Sequence, residues 1–423
     1  MQFSEKILNL TAKAEEALAP QFAQIERTTF ANTVRVMDAF RTHRVDEAMF
    51  NPTSGYGYND RGREALDSIW ADVMGAEAAI VRHSIVNGTQ ALTIGLFGLL
   101  RPGDILFSIA GKPYDTLDEV IGNAGTPGNG SLRDFGVEYR QADLLADGSF
   151  DREAIARTLS AEGERVKVIF IQRSKGYLNR KTLSVEQIGA LIPFLRAQAP
   201  HSYIVVDNCY GEFTETSEPT AVGADLIIGS LIKNPGGGMA ESGGYLAGSA
   251  RAVELASYRL TSVGCGTEVG ATLGQNKSLF KGLFYAPHTT AQALKTAHLA
   301  AWIFGEGLGF DVEPAWNEVR YDIIQAITTH TPEGLCAICR GIQAGSPVDS
   351  HVTPEPWAMP GYSDPVIMAA GAFTQGSSIE LSADGPLRPP YTAFLQGGLT
   401  YESGKLGIMS AADEVLRSLD RTK

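Results

Sequence analysis

Cysteine is scarce in this chain of 423 residues, where Cys209, Cys265, Cys336 and Cys339 are the only ones. Four scattered thiols exclude the disulfide framework that holds small secreted domains together. Cys336 and Cys339 have the spacing of a metal knuckle, yet no second CxxC and no close HxxxH completes a four-ligand site, so the pair reads as structural. Seven histidines occur with no HExxH or HxH among them, and no catalytic metal is expected. Basic residues are also in deficit, 35 against 48 acidic ones, for a net charge of -13. Nucleic acid and anionic membrane need basic patches and are poor partners for such a chain. No apolar run reaches the roughly 18 residues of a membrane span. The opening stretch, MQFSEKILNLTAKAEEALAP, lacks the basic start and apolar middle of a signal peptide. A cytoplasmic protein is expected.

What is abundant is core material, 44% hydrophobic residues, in a chain long enough for two or three domains. Residues 1–45 read as helix with a break near Pro20, and NPTSGYGYNDRG (51–62) reads as a turn-rich loop. Leu66, Ile69, Trp70, Val73 and Met74 then recur at amphipathic helical spacing. Beyond them the pattern alternates. Strands are predicted at 79–83, 104–109, 137–141, 166–172, 203–207, 225–229 and 244–248, with helices at 89–100, 116–123, 152–159 and 185–198. VKVIFIQ and YIVVD are apolar on both faces, as strands are when helices cover both sides of a parallel sheet. The fold class is therefore α/β, with a mostly parallel, doubly wound sheet. A helix at 290–304 leads into a tract rich in Pro and Gly, which predicts a smaller C-terminal α+β domain. The expected organisation is a helical arm and interface loop (1–62), a large domain (63–290) and a small domain (291–423).

Ligands of open α/β sheets bind beyond the carboxyl ends of the strands, so residues just after the predicted strands carry most weight. Asp207 closes YIVVD; such an acid binds a metal, caps a helix or pairs with a cation, and alone capping is the commoner case. Lys233 lies in GSLIKNPGGGMAESGGY, with Ser230 three residues before it and glycines after it that let backbone approach a flat ligand. A lone lysine there is otherwise a solvated strand end. Gly88 and Thr89 open a helix whose N–H groups and dipole favour an anion. Tyr114 follows the strand at 104–109, where its ring covers a ligand or simply packs in a loop. Together these are the parts needed by a pyridine cofactor bearing a phosphate: an amine, a carboxylate for the ring nitrogen, a helix start and an aromatic cover. Neither a GK[ST] phosphate loop nor an early G-x-G-x-x-G is present, which argues against nucleotide and dinucleotide binding.

The segments GYGYNDRGRE, NGTQAL, GKPYDTLDEVIG, IQRSKGY, VVDNCYGEF, GSLIKNPGGGMAESGGY and DGPLRPPYTAFLQGGLTY resemble the methionine γ-lyase-like family, also called cystathionine β-lyase-like and involved in aluminium resistance. The likeness runs through nearly the whole chain. It implies a fold-type I pyridoxal 5'-phosphate enzyme in which Lys233 holds the cofactor as a Schiff base and Asp207 pairs with the ring nitrogen. It further implies that Tyr210 bonds the ring hydroxyl, that Gly88, Thr89 and Ser230 hold the phosphate, and that Tyr114 stacks on the ring. Tyr56 and Tyr58 would reach the phosphate of a neighbouring subunit, making the working unit a homodimer or homotetramer with shared active sites. Two departures stand out. The lysine motif is Ser230-Leu231-Ile232-Lys233 rather than Ser-x-Thr-Lys, and Tyr56-Gly57-Tyr58 has no Arg where the better-studied relatives carry Tyr-x-Arg, although Arg61 and Arg63 follow.

The activity implied is β- or γ-elimination from a sulfur amino acid, with Lys233 as base, Tyr114 as proton donor and Arg388 fixing the substrate carboxylate. Arg173 competes for that last role. An aminotransferase, or a cofactor-binding stress protein with little turnover, would use the same residues.

Overall fold

The structure, a computed structural model, describes residues 2–178, 180–359, 362 and 364–421. In chain order its elements are α1 (Glu5–Thr42), α2 (Arg61–Met74), β1 (Ala78–Arg82), α3 (Gly88–Leu99), β2 (Ile105–Ser108), α4 (Asp115–Ile121), β3 (Glu138–Gln141), α5 (Arg152–Glu162), β4 (Val166–Gln172), α6 (Val185–Gln198), β5 (Tyr203–Asp207), β6 (Leu226–Ser230), β7 (Gly244–Gly248) and α7 (Ala250–Leu260). There follow α8 (Asn276–Ala301), β8 (Asp311–Glu313), β9 (Gln325–Thr328), α9 (Pro332–Gly345), β10 (Val366–Ala369), β11 (Ser382–Pro386), β12 (Thr392–Gln396) and α10 (Tyr401–Arg421). By compactness the chain divides into two units. One is Val34–Leu231 with Met239–Phe284; the other is Met1–Thr33, Ile232–Gly238 and Tyr285–Lys423. The first 33 residues thus join the C-terminal unit, and residues 34–62 join the sheet unit.

The sheet unit holds seven strands in the order β1-β7-β6-β5-β4-β2-β3. β2 to β6 pair in parallel with one another and with β3, while β7 runs antiparallel between β1 and β6. Its inner strands are buried on both faces. α3 lies close against the sheet at Gly95 and against α7 at Gly98 because neither residue has a side chain. A Cβ on Gly95 would come within 2.5 Å of Ile228 Cδ1 in β6, and one on Gly98 within 2.8 Å of Ala256 Cα in α7. That approach sets where the N-terminus of α3 falls relative to the end of β6.

The other unit contains an antiparallel sheet in the order β10-β11-β12-β9-β8, with α9 and α10 packed together. Gly341 permits that helix contact, since a Cβ there would lie 2.3 Å from Ala411 Cα. Cys336 and Cys339 lie on α9 within this unit's core, where burial raises both thiol pKa values.

Two helices differ from expectation. Pro20 sits inside an unbroken α1. A proline in a helix interior costs about 3 kcal/mol, but Ile7, Leu18 and Ile25 are buried along one face of α1, and each contributes about 1.5–3 kcal/mol. Packing therefore outweighs the missing hydrogen bond. α8 likewise begins at Asn276 rather than 290 and contains Pro287, because Leu279, Phe280, Leu283 and Ala286 supply a buried helical stripe before it.

Candidate active site

The sheet unit gathers several predicted residues at the carboxyl ends of β4, β5 and β6. Asn87 caps α3, its Oδ1 accepting the Gln90 N–H at 2.8 Å. The N–H groups of Gly88 and Thr89, in the first turn, have no acceptor among the described residues, as the geometry of a helix start dictates. A Cβ added to Gly88 would stand 3.4 Å from Ser230 Cβ and 3.5 Å from Cys209 Sγ, so the helix start faces the end of β6 and the turn after β5. Ser230 is 1% exposed, and its hydroxyl has no hydrogen-bond partner among the described residues. A buried hydroxyl left in this state costs about 1–3 kcal/mol. Two N–H groups, an orphaned hydroxyl and the space left by a glycine together suit a phosphate.

Asp207 closes β5 and is buried; its Oδ1 accepts the Cys209 N–H at 3.1 Å, which orients the carboxylate. Its carbonyl accepts the Arg173 N–H at 3.1 Å. Tyr210 follows with a φ of 72°, a left-handed conformation unusual for a tyrosine. Tyr114 precedes α4. Its N–H donates to Gln172 Oε1 at 2.5 Å, and Gln172 is the register partner of Asp207. Gly176 lies against the Tyr114 ring, 3.0 Å from Cδ2 to an added Cβ, and the Tyr177 ring is centred 5.7 Å away. Thr116 Oγ1 lies 2.8 Å from Thr89 Oγ1, tying this loop to the start of α3.

Residues 7–416 match the family described as methionine gamma-lyase. The chain belongs to that family. It is 50% identical over 413 residues to the uncharacterized protein YnbB of Bacillus subtilis (strain 168), covering 97% of each chain. A carbon-sulfur lyase involved in aluminum resistance from Clostridium novyi NT has a solved structure with 47% identity and a TM-score of 0.93, covering 97% of this chain and 96% of that one. The pyridoxal-5'-phosphate dependent protein YhfS of Escherichia coli shares 17% identity at a TM-score of 0.60, covering 95% of this chain and 97% of that one, a likeness of fold alone.

In this member of the methionine gamma-lyase family, Lys233 and Arg388 belong to the second unit, while Arg173, Tyr56 and Tyr58 belong to the sheet unit. Lys233 lies three residues beyond Ser230, half-buried, in the second unit, where its carbonyl accepts the Gly236 N–H at 3.2 Å and opens a short 3-10 turn. Within that unit the same segment packs Gly238 against Leu399, and Ile232 lies 3.8 Å from an ideal Cβ on Gly376. Arg388, in this unit too, follows β11 among Pro386, Pro389 and Pro390. Its side chain is 43% exposed, with Nη1 donating to Asp364 Oδ2 at 2.9 Å.

Arg173 is placed differently from its competing role. It is fully buried, and its five N–H donors meet five acceptors within 3.5 Å: Leu183 O, Asn208 Oδ1, Thr214 Oγ1, Glu215 Oε2 and Glu218 Oε2. No donor is left for a substrate carboxylate. Tyr56 and Tyr58 stack on each other, ring centres 5.4 Å apart, and are 72% and 59% exposed. Their loop is held by buried Arg63, which donates to Gly57 O, Gly270 O and Glu268 O. Arg61 pairs with Asp46 at 2.8 Å.

Sequence reasoning assigned no role to Asn87, Gln172, Cys209 or Thr116. Asn87 was open to detection as a cap residue before a helix; the other three acquire their places only through the sheet.

Proposed function

We propose that this chain is a pyridoxal 5'-phosphate-dependent carbon–sulfur lyase acting on a sulfur amino acid of the cystathionine, methionine or cysteine type. The single observation that carries the reading is the buried Ser230 hydroxyl, without a hydrogen-bond partner among the described residues and facing the glycine start of α3. A phosphate monoester supplies acceptors for that hydroxyl and for the Gly88 and Thr89 N–H groups. Membership of the methionine gamma-lyase family and the carbon-sulfur lyase name of the Clostridium novyi relative support the same choice.

When bound, the cofactor supplies an electron sink for the charge left at the substrate Cα. Lys233 would be the amine that holds the cofactor and the base that takes the Cα proton of the substrate. Asp207 would face the ring nitrogen and hold its proton there. Tyr210 would hold the ring hydroxyl, and Tyr114 would cover the ring and deliver a proton to the departing sulfur. Arg388 offers a planar fork to the substrate carboxylate, which turns the Cα–H bond toward the base. The sulfur leaves from Cβ, or from Cγ after a second proton loss. With one water consumed, the products are a thiol, a 2-oxo acid and ammonia.

The test is incubation of purified protein with cystathionine, cysteine, methionine and homocysteine, without any 2-oxo acid acceptor. Equal release of ammonia and 2-oxo acid from at least one is expected. Amino transfer that requires an added acceptor, or no turnover of any of them, overturns the reading.

A further inference from the structure

Behind the candidate site lies a buried charged cluster that the proposed chemistry does not use. Three carboxylates, Glu212, Glu215 and Glu218, come from one segment, residues 208–218, immediately after Asp207. Arg173, at the end of the neighbouring strand β4, holds that segment at both ends. Its main-chain N–H grips the Asp207 carbonyl at 3.1 Å, and Nη1 reaches Asn208 Oδ1 at 2.7 Å. Nη2 reaches Glu215 Oε2 at 2.6 Å, and that oxygen also accepts the Val185 N–H at 2.9 Å. Glu218 closes the loop on itself, taking Phe213 N–H at 3.0 Å and Asn208 Nδ2 at 3.0 Å. Close approach is built in: a Cβ on Gly211 would fall 2.4 Å from Arg173 Nη1.

The segment needs holding. Tyr210 and Phe213 both adopt left-handed backbone, at φ 72° and 61°, a strained conformation for non-glycine residues. Such conformations persist only when their surroundings over-determine them. A single fully buried guanidinium with every donor engaged provides that, since each of its bonds to a charged partner is stronger than a neutral one.

We infer that Arg173 is a positioning residue, fixing residues 208–218 so that Asp207 and Tyr210 stand in their ligand-ready places before any ligand arrives. The ligand part of this inference rests on the proposed function. The positional part does not.

The experiment compares wild type, Arg173→Lys and Glu215→Gln as full chains. In the cofactor-free proteins, hydrogen exchange is followed at the 208–218 amides and across β4 to β6. Both variants should keep their strand protection, with exchange at 208–218 rising about tenfold or more in Arg173→Lys and less in Glu215→Gln. Pyridoxal phosphate is then titrated in, reading Kd and the induced circular dichroism of the bound chromophore. Arg173→Lys should bind about tenfold more weakly with a reduced induced signal. If Arg173→Lys does not fold, the Glu215→Gln result alone decides. Unchanged exchange at 208–218 in the folded variants overturns the inference. So does loosened exchange with wild-type Kd and dichroism, which would make the cluster structural only. Wild-type protein that takes up no pyridoxal phosphate overturns the proposed function instead, and with it the ligand-ready claim.

Discussion

Replacing Ser230 by alanine should stabilise the cofactor-free protein and weaken its hold on the cofactor, two effects of opposite sign from one atom. The hydroxyl is 1% exposed and has no partner among the described residues, so the empty protein carries the cost of desolvating it. Removing that cost is worth about 1–3 kcal/mol. For a unit of this size each kcal/mol raises Tm by about 2–4 °C, so the apo midpoint should rise by several degrees. Alanine keeps the Cβ that faces Gly88, so no cavity larger than one oxygen forms. By the proposed function the hydroxyl would donate to a charged phosphate in the loaded protein, a bond worth about 1.5–3 kcal/mol, and its loss should raise Kd about 10- to 150-fold. Differential scanning fluorimetry of apo protein and a cofactor titration by absorbance measure the two effects. A lowered apo Tm together with a Kd within twofold of wild type would refute the reasoning, because the hydroxyl would then be satisfied inside the protein and irrelevant to the phosphate.

Arg388→Lys keeps the charge and loses the fork, so kcat/KM should fall about 10- to 100-fold while the cofactor spectrum stays normal; an unchanged kcat/KM would remove Arg388 from the site. Tyr56→Ala with Tyr58→Ala should raise the cofactor Kd, and light scattering should show at least a homodimer; a fully active monomer contradicts the shared-site arrangement and leaves the stacked pair as a surface turn. His298 donates from Nδ1 to the Trp316 carbonyl at 2.7 Å, and burial, with Arg320 nearby, lowers its pKa from 6.5 to about 3. The unfolded chain takes up that proton first, so the stability it contributes is complete above pH 6.5 and is lost as pH falls toward 3. The fall in thermal midpoint across that window should flatten in His298→Asn, and equal slopes in the two proteins would contradict this.

Strand positions were legible because strands buried on both faces leave continuous apolar runs bounded by turns. The stretches 166–172, 203–207 and 244–248 coincide with β4, β5 and β7. Asp207 and Ser230 were legible as strand ends for the same reason, and Gly88 as a helix start. Pro20 misled, since a proline acts locally while the packing that overrides it is tertiary. Arg173 looked like a free cation after a strand because its partners Asn208, Glu215 and Glu218 lie 35, 42 and 45 residues further on. Nothing in the local pattern announces such a cluster. The two-unit division was also partly hidden: Ile232–Gly238 leaves the sheet unit for the other, and only the folded chain reveals that exchange.

The central claim is that Lys233 is the cofactor's attachment point. Purified protein incubated with pyridoxal phosphate should turn yellow, borohydride should bleach it, and peptide mass mapping should place the reduced pyridoxyl adduct on Lys233. An adduct on Lys175 or Lys277, or no adduct at all, would contradict the account.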